Sequence, residues 1–233
     1  MLSNDNLTLI TVSIYNDKIS DKRIDNLKKR ISNDNLPLFI FYNNKTKYNQ
    51  WNKAGCIFIK NLYKSIFKFS ESNYDYAIIC ENDFYPTDNF LEKLNKTVDL
   101  LPETWESLHL CPGWFWGRDY FNNKKIKKQN IDIPYPEGSL NKLNFHKSEK
   151  FIYNLNFKYL VDNNIWLGGP IAVLINKKNN NHLKFLKRCI NQFNIRNDPG
   201  DVILSKCVTK NDFICFKPQL GKEEESGGTT QYN

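Results

Sequence analysis

The chain has 233 residues, of which 40% are hydrophobic, so it can bury one sizeable core and is too apolar to be a disordered chain. No apolar stretch approaches the roughly 20 residues of a membrane span, and the first residues lack the features of a signal peptide. We therefore expect a soluble protein of the cytoplasm or of a host cell, with a secretory lumen as the alternative if the chain is a fragment.

The net charge indicates which kinds of molecule the chain could bind, and the cysteine pattern bears on whether it could hold zinc. The formal net charge of +8 favours an anionic partner, such as a nucleotide diphosphate, a nucleic acid or a membrane surface. Six cysteines include no CxxC pair, which argues against a zinc site, and most of them lie in apolar segments as expected for buried free thiols.

The first half of the chain alternates predicted strands and helices. Buried strands are predicted at 7–15, 36–41, 75–80 and 107–111. Between them, apolar residues at helical spacing predict helices from Ser20, as N-cap, to 31, over 53–70, and over 87–100 with Thr87 or Asp88 as the cap. This order predicts the α/β class, with a mainly parallel sheet flanked by helices.

The second half is less regular. Residues 112–150 have no sustained periodicity, and a long loop of this kind is usually functional or mobile. Strands are predicted within 151–160 and 165–175, a helix over 177–193, a helix after Asp201 and a last strand at 213–218. We find no repeat or linker, so we expect one domain over 1–220 and a polar tail over 221–233.

The central predicted strand ends in an acidic cluster. The apolar run 76–80 is followed at once by Glu81, Asn82 and Asp83. In open α/β sheets ligands bind at the carboxyl ends of strands, and alternate residues of an extended segment point the same way. Glu81 and Asp83 can therefore hold a hard divalent cation that also binds substrate phosphates. The alternative is a polar turn without a metal.

The ordered set of motifs resembles a known family of glycosyltransferases. The segments are TVSIYNDKISDKRIDNL, AGCIFIKNL, IICENDFYPTDNF, LGGPIAVLINKK, DPGDVIL and FKPQL. Together they resemble the family that includes bacterial lipooligosaccharide galactosyltransferases and procollagen galactosyltransferases. The chain departs from it at Ile59-Lys60, where the family has Ser-His, and at Asn82, where it has a middle acid.

The resemblance implies a GT-A-like, Rossmann-like fold, a UDP-sugar donor and Mn²⁺ or Mg²⁺ held by Glu81 and Asp83. Tyr15, Asn16 and Arg23 lie at or after the end of the first strand, where the nucleotide and its phosphates would bind. Arginine suits phosphate because its planar guanidinium donates paired hydrogen bonds. For Arg23 the alternative is an exposed helix charge.

Other residues receive candidate roles near the donor sugar and the acceptor. Asn82 could bind the donor or simply form a turn. Gly169 could let the backbone approach the sugar, or mark a bulge. Trp114 and Trp116 could stack on the acceptor or close the core under a loop.

The general base is predicted among the acidic residues of the second half. Asp201 matches the family's acidic position and is the first choice, with Asp198 beside it and Asp162 in reserve. The structural alternative for Asp198 and Asp201 is helix capping.

Three histidines are isolated in sequence. His109 is expected in or beside the core. His146 could complete a metal shell, although scattered histidines are mostly not ligands.

We thus predict an enzyme, a metal-dependent hexosyltransferase. It moves galactose or glucose from a UDP-sugar to a hydroxyl of a glycan or hydroxylysine-type protein acceptor, and the resemblance implies inversion. One alternative is a related nucleotidyltransferase, against which the first strand lacks a glycine-rich phosphate loop. The other is a non-catalytic basic module that binds nucleic acid or glycan, against which the lysines are scattered.

Overall fold

An eight-stranded sheet with helices on both faces organises the protein. The computed structural model describes residues 1–13, 18–42, 51–110, 114–117, 140–142, 151–155, 165–168, 172–196, 203–204, 207, 209, 211–217 and 220–223. The helices are α1 Lys18–Ile31, α2 Trp51–Glu71, α3 Phe90–Val98 and α4 Asn181–Arg196. The strands are β1 Leu7–Ser13, β2 Leu38–Tyr42, β3 Tyr76–Glu81, β4 Phe84–Pro86, β5 Ser107–His109, β6 Trp114–Gly117, β7 Leu140–Lys142, β8 Phe151–Leu155, β9 Ile165–Gly168, β10 Ala172–Asn176, β11 Asp212–Lys217 and β12 Gly221–Glu223.

The main sheet has the order β2-β1-β3-β10-β5-β11-β8-β7. β1 is parallel to both β2 and β3, and β5 is parallel to β11. β10 runs antiparallel between β3 and β5, so β3 and β5 themselves point the same way. The predicted α/β class, a mainly parallel sheet flanked by helices, is confirmed, and β10 and β8 are its reversed strands.

The strands divide their side chains between two cores. Because alternate residues point to opposite faces, Leu9 and Ile78 pack in a cluster with residues of α1 and α3. Ile10 and Ile79 pack in a second cluster with residues of α2 and α4. The sheet is therefore covered by helices on both faces, which explains why its central strands are continuously apolar.

The predicted N-caps of two helices, α1 and α3, differ from the structure. α1 begins at Lys18, so Ser20 lies inside the helix and is buried instead of capping it. α3 begins at Phe90 after Asn89, which is left-handed at φ 55° and makes no side-chain cap. Thr87 and Asp88 do not cap α3. The Thr87 hydroxyl donates to the Leu220 carbonyl, and Asp88 accepts a hydrogen bond from Arg30.

A small two-stranded sheet joins the end of the described chain to the centre. β4 pairs antiparallel with β12, with Gly221 opposite Pro86 and Glu223 opposite Phe84. The fold therefore extends to Glu223, three residues into the predicted tail. No helix in the described ranges is long and apolar enough to cross a membrane.

Candidate functional site

The candidate site lies where β3 ends. Residues 77–80 are buried in the sheet, Glu81 is the last residue of β3, and Asn82 and Asp83 form a turn that leads into β4. Glu81 and Asp83 are half-buried, whereas Asn82 is buried. Since β1, β2 and β3 are parallel, this turn lies at the carboxyl edge of the sheet, where open α/β sheets bind ligands.

The turn changes one detail of the prediction. The extended alternation that predicted convergence of Glu81 and Asp83 stops at Glu81, because Asn82 and Asp83 leave the strand. Both carboxylates nevertheless lie close enough to Cys80 to raise the pKa of its thiol. The pKa of the Cys80 thiol is raised first by burial and then by the charges of Asp83 and Glu81. Cys80 is therefore a protonated thiol beneath the carboxylates and is a poor metal ligand.

Helix α1 directs two arginines at this turn and at β4. Arg23 Nη1 lies 4.0 Å from Asp83 Oδ2, and the Arg23 side chain is only 4% exposed. Two helical turns later, Arg30 Nη1 donates to Asp88 Oδ1 at 2.5 Å, and its guanidinium lies 4.3 Å from the centre of the Tyr85 ring. The alternative that Arg23 is an exposed helix charge is wrong, because its guanidinium is buried beside the acidic turn.

Phe84 and Gly221 support the turn from behind. Phe84 follows Asp83, is buried, and packs edge-on against Phe90 with ring centres 6.0 Å apart. A Cβ on Gly221 would lie 2.1 Å from the Phe84 ring, so only glycine fits there without a shift. The sequence analysis did not identify Gly221 or Arg30, since both reach the site through contacts that are distant in sequence.

The chemistry of the turn fits a hard divalent cation in part. The two carboxylates and the amide of Asn82 supply oxygen atoms, which Mg²⁺ and Mn²⁺ prefer. Among the described residues, no group of three or more His, Cys, Asp or Glu side chains is arranged to hold a metal ion. A cation at Glu81 and Asp83 would therefore need water and substrate oxygens to complete its shell.

The aromatic and glycine segments predicted near the sugar and the acceptor meet in one ribbon. β6 pairs antiparallel with β9, with Trp114 opposite Gly168 and Trp116 opposite Trp166. This places the backbone of both predicted acceptor residues beside the strand that leads to the predicted Gly169. The other candidates lie outside the described residues, namely Tyr15, Asn16, Gly169, His146, Asp162, Asp198 and Asp201.

The two described histidines are core residues. His109 is buried, its Nε2 has no hydrogen-bond partner among the described residues, and burial lowers its pKa to about 4. His182 is buried and packs edge-on against Phe69 with ring centres 5.5 Å apart, and burial and the charge of Lys177 lower its pKa. The expectation that His109 lies in the core is confirmed.

A second charged cluster lies at the opposite edge of the sheet. Asp212 begins β11 beside Ser107, which begins β5, and Ser107 Oγ donates to Asp212 Oδ1 at 2.6 Å. The Thr209 amide donates to the other Asp212 oxygen. Arg188 of α4 donates to Glu106 Oε2 at 2.7 Å and lies 3.5 Å from Asp212. Burial is the main reason that the pKa of Asp212 is raised.

Comparisons with known proteins add little to this geometry. No protein-family model and no curated protein sequence matches the chain. One solved structure, a crystal structure of a glycosyltransferase involved in the glycosylation of the major capsid of PBCV-1, is similar over 81% of this chain and 68% of that chain. The TM-score is 0.42 and the identity is 9%. A likeness of this size carries no argument about function.

Proposed function

We propose that the protein is a metal-dependent glycosyltransferase that moves a hexose, galactose or glucose, from a UDP-sugar to a hydroxyl group. The acceptor is a glycan or a hydroxylysine-type protein side chain, and the transfer is inverting. The observation that carries the proposal is the pair of half-buried carboxylates, Glu81 and Asp83, at the carboxyl end of β3, with a buried arginine beside them.

Each residue of the turn has a distinct task in this proposal. Glu81 and Asp83 hold Mn²⁺ or Mg²⁺, which when bound neutralises the diphosphate and its leaving oxygen. Arg23 is within reach of the same diphosphate, since its guanidinium lies 4.0 Å from Asp83. Asn82 is buried, which favours a role in shaping the turn over direct contact with the donor.

The remaining tasks belong to residues proposed from the sequence. Tyr15 and Asn16 contact the nucleotide, Gly169 lies against the donor sugar, and Trp114 and Trp116 bind the acceptor. Asp201 is the base that deprotonates the acceptor hydroxyl, with Asp198 as the alternative. An ordinary carboxylate is ionised at neutral pH and can accept that proton.

The proposal is tested by release of UDP from a panel of nucleotide sugars with and without Mn²⁺. We expect metal-dependent turnover of UDP-galactose or UDP-glucose, and we expect Asp83→Ala to lower it by more than roughly a hundredfold, because the cation stabilises the leaving diphosphate. Asp99→Ala is the matched control, because it removes an exposed carboxylate at the end of α3.

Folded wild-type protein that turns over no nucleotide sugar with any divalent metal would refute the proposal. Turnover that is equal with and without metal, or unchanged in Asp83→Ala, would refute the assigned metal site. Thermal unfolding of each variant shows that a loss of turnover is not a loss of structure.

A further inference from the structure

One face of α2 exposes both charge and aromatic surface. Lys60, Lys64 and Lys68 are exposed at intervals of four residues, which places them in one row along the helix. Beside that row Tyr63 is 52% exposed and Phe67 54% exposed. The two rings are stacked, with centres 6.4 Å apart and planes 11° apart. We call these five residues the basic aromatic face.

The basic aromatic face is unfavourable for the protein in isolation. Like charges four residues apart on a helix repel each other. No acidic residue lies three or four positions from Lys60 or Lys64, and neither lysine forms an ion pair with any described carboxylate. Two large rings also remain in water, where their burial would be favourable. An anionic partner that also offers an apolar phase would remove both costs.

The neighbouring helix α4 extends the same character. α4 packs against α2, with the ring of His182 edge-on to Phe69. Its sequence contains no acidic residue, and Leu183 is 47% exposed beside the exposed Lys184. Among the described residues, the large hydrophobic side chains that are exposed are Met1, Tyr63, Phe67 and Leu183, so three of the four lie on α2 and α4.

Helix α1, which lies on the other face of the sheet, has a different charge pattern. α1 also carries many lysines, but Asp21 and Asp25 are interspersed with them, and Lys28 pairs with Asp25 at 3.2 Å. No large hydrophobic side chain of α1 is exposed among those described. Positive charge and exposed aromatic rings therefore occur together on the side of the sheet that α2 and α4 cover.

We propose that the basic aromatic face of α2, extended by Leu183 and Lys184 of α4, docks the protein on an anionic lipid bilayer. Lysine head groups would meet the lipid phosphates and carboxylates, while the rings enter the boundary between head groups and acyl chains. A bilayer fits better than a nucleic acid, because the exposed apolar surface includes the aliphatic side chain of Leu183, which cannot stack on a base. Lysine also suits this geometry, since its stem covers apolar surface while its charge stays in water.

The docking proposal does not depend on the proposed catalytic function. It requires no nucleotide sugar, metal or acceptor, and none of its residues belongs to the acidic turn. The test of docking can therefore fail while the glycosyltransferase proposal survives. The glycosyltransferase proposal can likewise fail while docking is supported.

Vesicle co-sedimentation of the full chain tests the proposal. We expect binding to phosphatidylcholine vesicles that contain roughly 30% phosphatidylserine and little binding to phosphatidylcholine alone. K60E/K64E should lower the partition coefficient more than about tenfold, because each lysine near an anionic surface contributes roughly fivefold. The double variant Y63S/F67S should lower it as well, and its residual binding should be more sensitive to salt.

The control is K22E/K29E, which makes the same change of charge at exposed positions of α1. We expect it to bind anionic vesicles within about twofold of the wild type, apart from the long-range effect of net charge. Absence of binding by the wild type, or an equal loss in the control, would overturn the proposal. Salt-sensitive binding to a labelled oligonucleotide that K60E/K64E abolishes, with no vesicle binding, would also overturn it and would identify a nucleic-acid surface.

Discussion

The two charged clusters at opposite edges of the sheet use the same residue types in different ways. Asp212 is 1% exposed and accepts hydrogen bonds from Ser107 and Thr209, while Arg188 binds Glu106 at 2.7 Å. Asp83 is 18% exposed, and its ion pair with Arg23 is 4.0 Å long. Both oxygens of the buried Asp212 carboxylate accept short hydrogen bonds, whereas the Asp83 carboxylate of the acidic turn remains partly exposed.

Position on the sheet explains the difference. Asp212 and Ser107 begin parallel strands at the amino edge, which in open α/β sheets is seldom used for binding. Glu81 ends β3 at the carboxyl edge, which is where ligands bind. A carboxylate beside an arginine is therefore not in itself a sign of function. The strand end that carries the carboxylate, and its remaining exposure, are what favour a binding role for Asp83 and a structural role for Asp212.

The largest expected effect contrasts Asp83 with Asp212. Asp83→Asn should lower metal-dependent turnover more than roughly a hundredfold, because it removes a carboxylate that is proposed to hold the metal. Asp212→Asn should leave turnover per folded molecule unchanged and lower the free energy of unfolding by about 2 kcal/mol, because it disturbs a buried hydrogen-bond network. Paired kinetics and urea unfolding measure both. If the two variants changed turnover and stability to the same extent, the proposed difference in role between Asp83 and Asp212 would be wrong.

The second prediction compares the two arginines. Arg188→Met should lower the free energy of unfolding by about 3 kcal/mol, because it leaves Glu106 and the buried Asp212 without their cation. Arg23→Met should cost only about 1 kcal/mol, since its ion pair is longer and Asp83 is more exposed than Asp212. Instead, Arg23→Met should weaken UDP binding, measured by calorimetry. A stability loss in Arg23→Met as large as that in Arg188→Met would indicate that the ion pair of the acidic turn is structural, like that of Arg188.

The pKa of His109 reports how far water is excluded from the interior of the sheet. Burial lowers its pKa from 6.5 to about 4, so the folded protein disfavours the protonated form. The unfolded chain binds that proton first. Stability should therefore fall as pH decreases from 6.5 to about 4, by about 3 kcal/mol in total.

Urea unfolding of wild type and His109→Gln across this pH range isolates that contribution, because the other titrating groups are shared. The wild-type curve should drop relative to the variant as the solution becomes acidic. Parallel curves would show that His109 titrates normally and that water reaches this strand.

The smallest effect concerns the support behind the acidic turn. Gly221→Ala should lower the free energy of unfolding by about 2 kcal/mol, because the new Cβ overlaps the Phe84 ring. It should also reduce turnover, since Phe84 is bonded directly to Asp83. In the double variant with Phe84→Leu, which removes part of the ring volume, the two losses should be less than additive. Additive losses would exclude a direct clash.

Local patterns predicted the parts of the fold that depend on neighbours in sequence. The apolar run before Glu81 predicted β3, and the helical spacing of Leu62, Ile66 and Phe69 predicted α2, because burial imposes these periods directly. The insertion of β10 between β3 and β5 could not be predicted, since strand order depends on pairing between distant segments. The cap assigned to Thr87 or Asp88 failed for the same reason, because each of them bonds a distant residue.

The candidate site was predictable to a similar degree. Glu81 and Asp83 follow an apolar strand, so chemistry and position could both be read locally. Arg30 meets Asp88 across 58 positions, and Arg188 meets Glu106 across 82. The sequence carries no periodic signal for such pairs, so their partners had to come from the structure. The burial of Arg23 beside Asp83 belongs to the same class of contact.

The pairing of β4 with β12 has a consequence for synthesis. The acidic turn is translated early, but the strand that packs Gly221 on Phe84 is made more than 130 residues later. β11, which inserts between β5 and β8, is also translated late. In a nascent chain on the ribosome, the acidic turn therefore lacks its β12 partner until the final strands emerge. An early stop codon before residue 212 would leave a polypeptide that contains every carboxylate of the turn but lacks β11 and the β12 strand that pairs with β4.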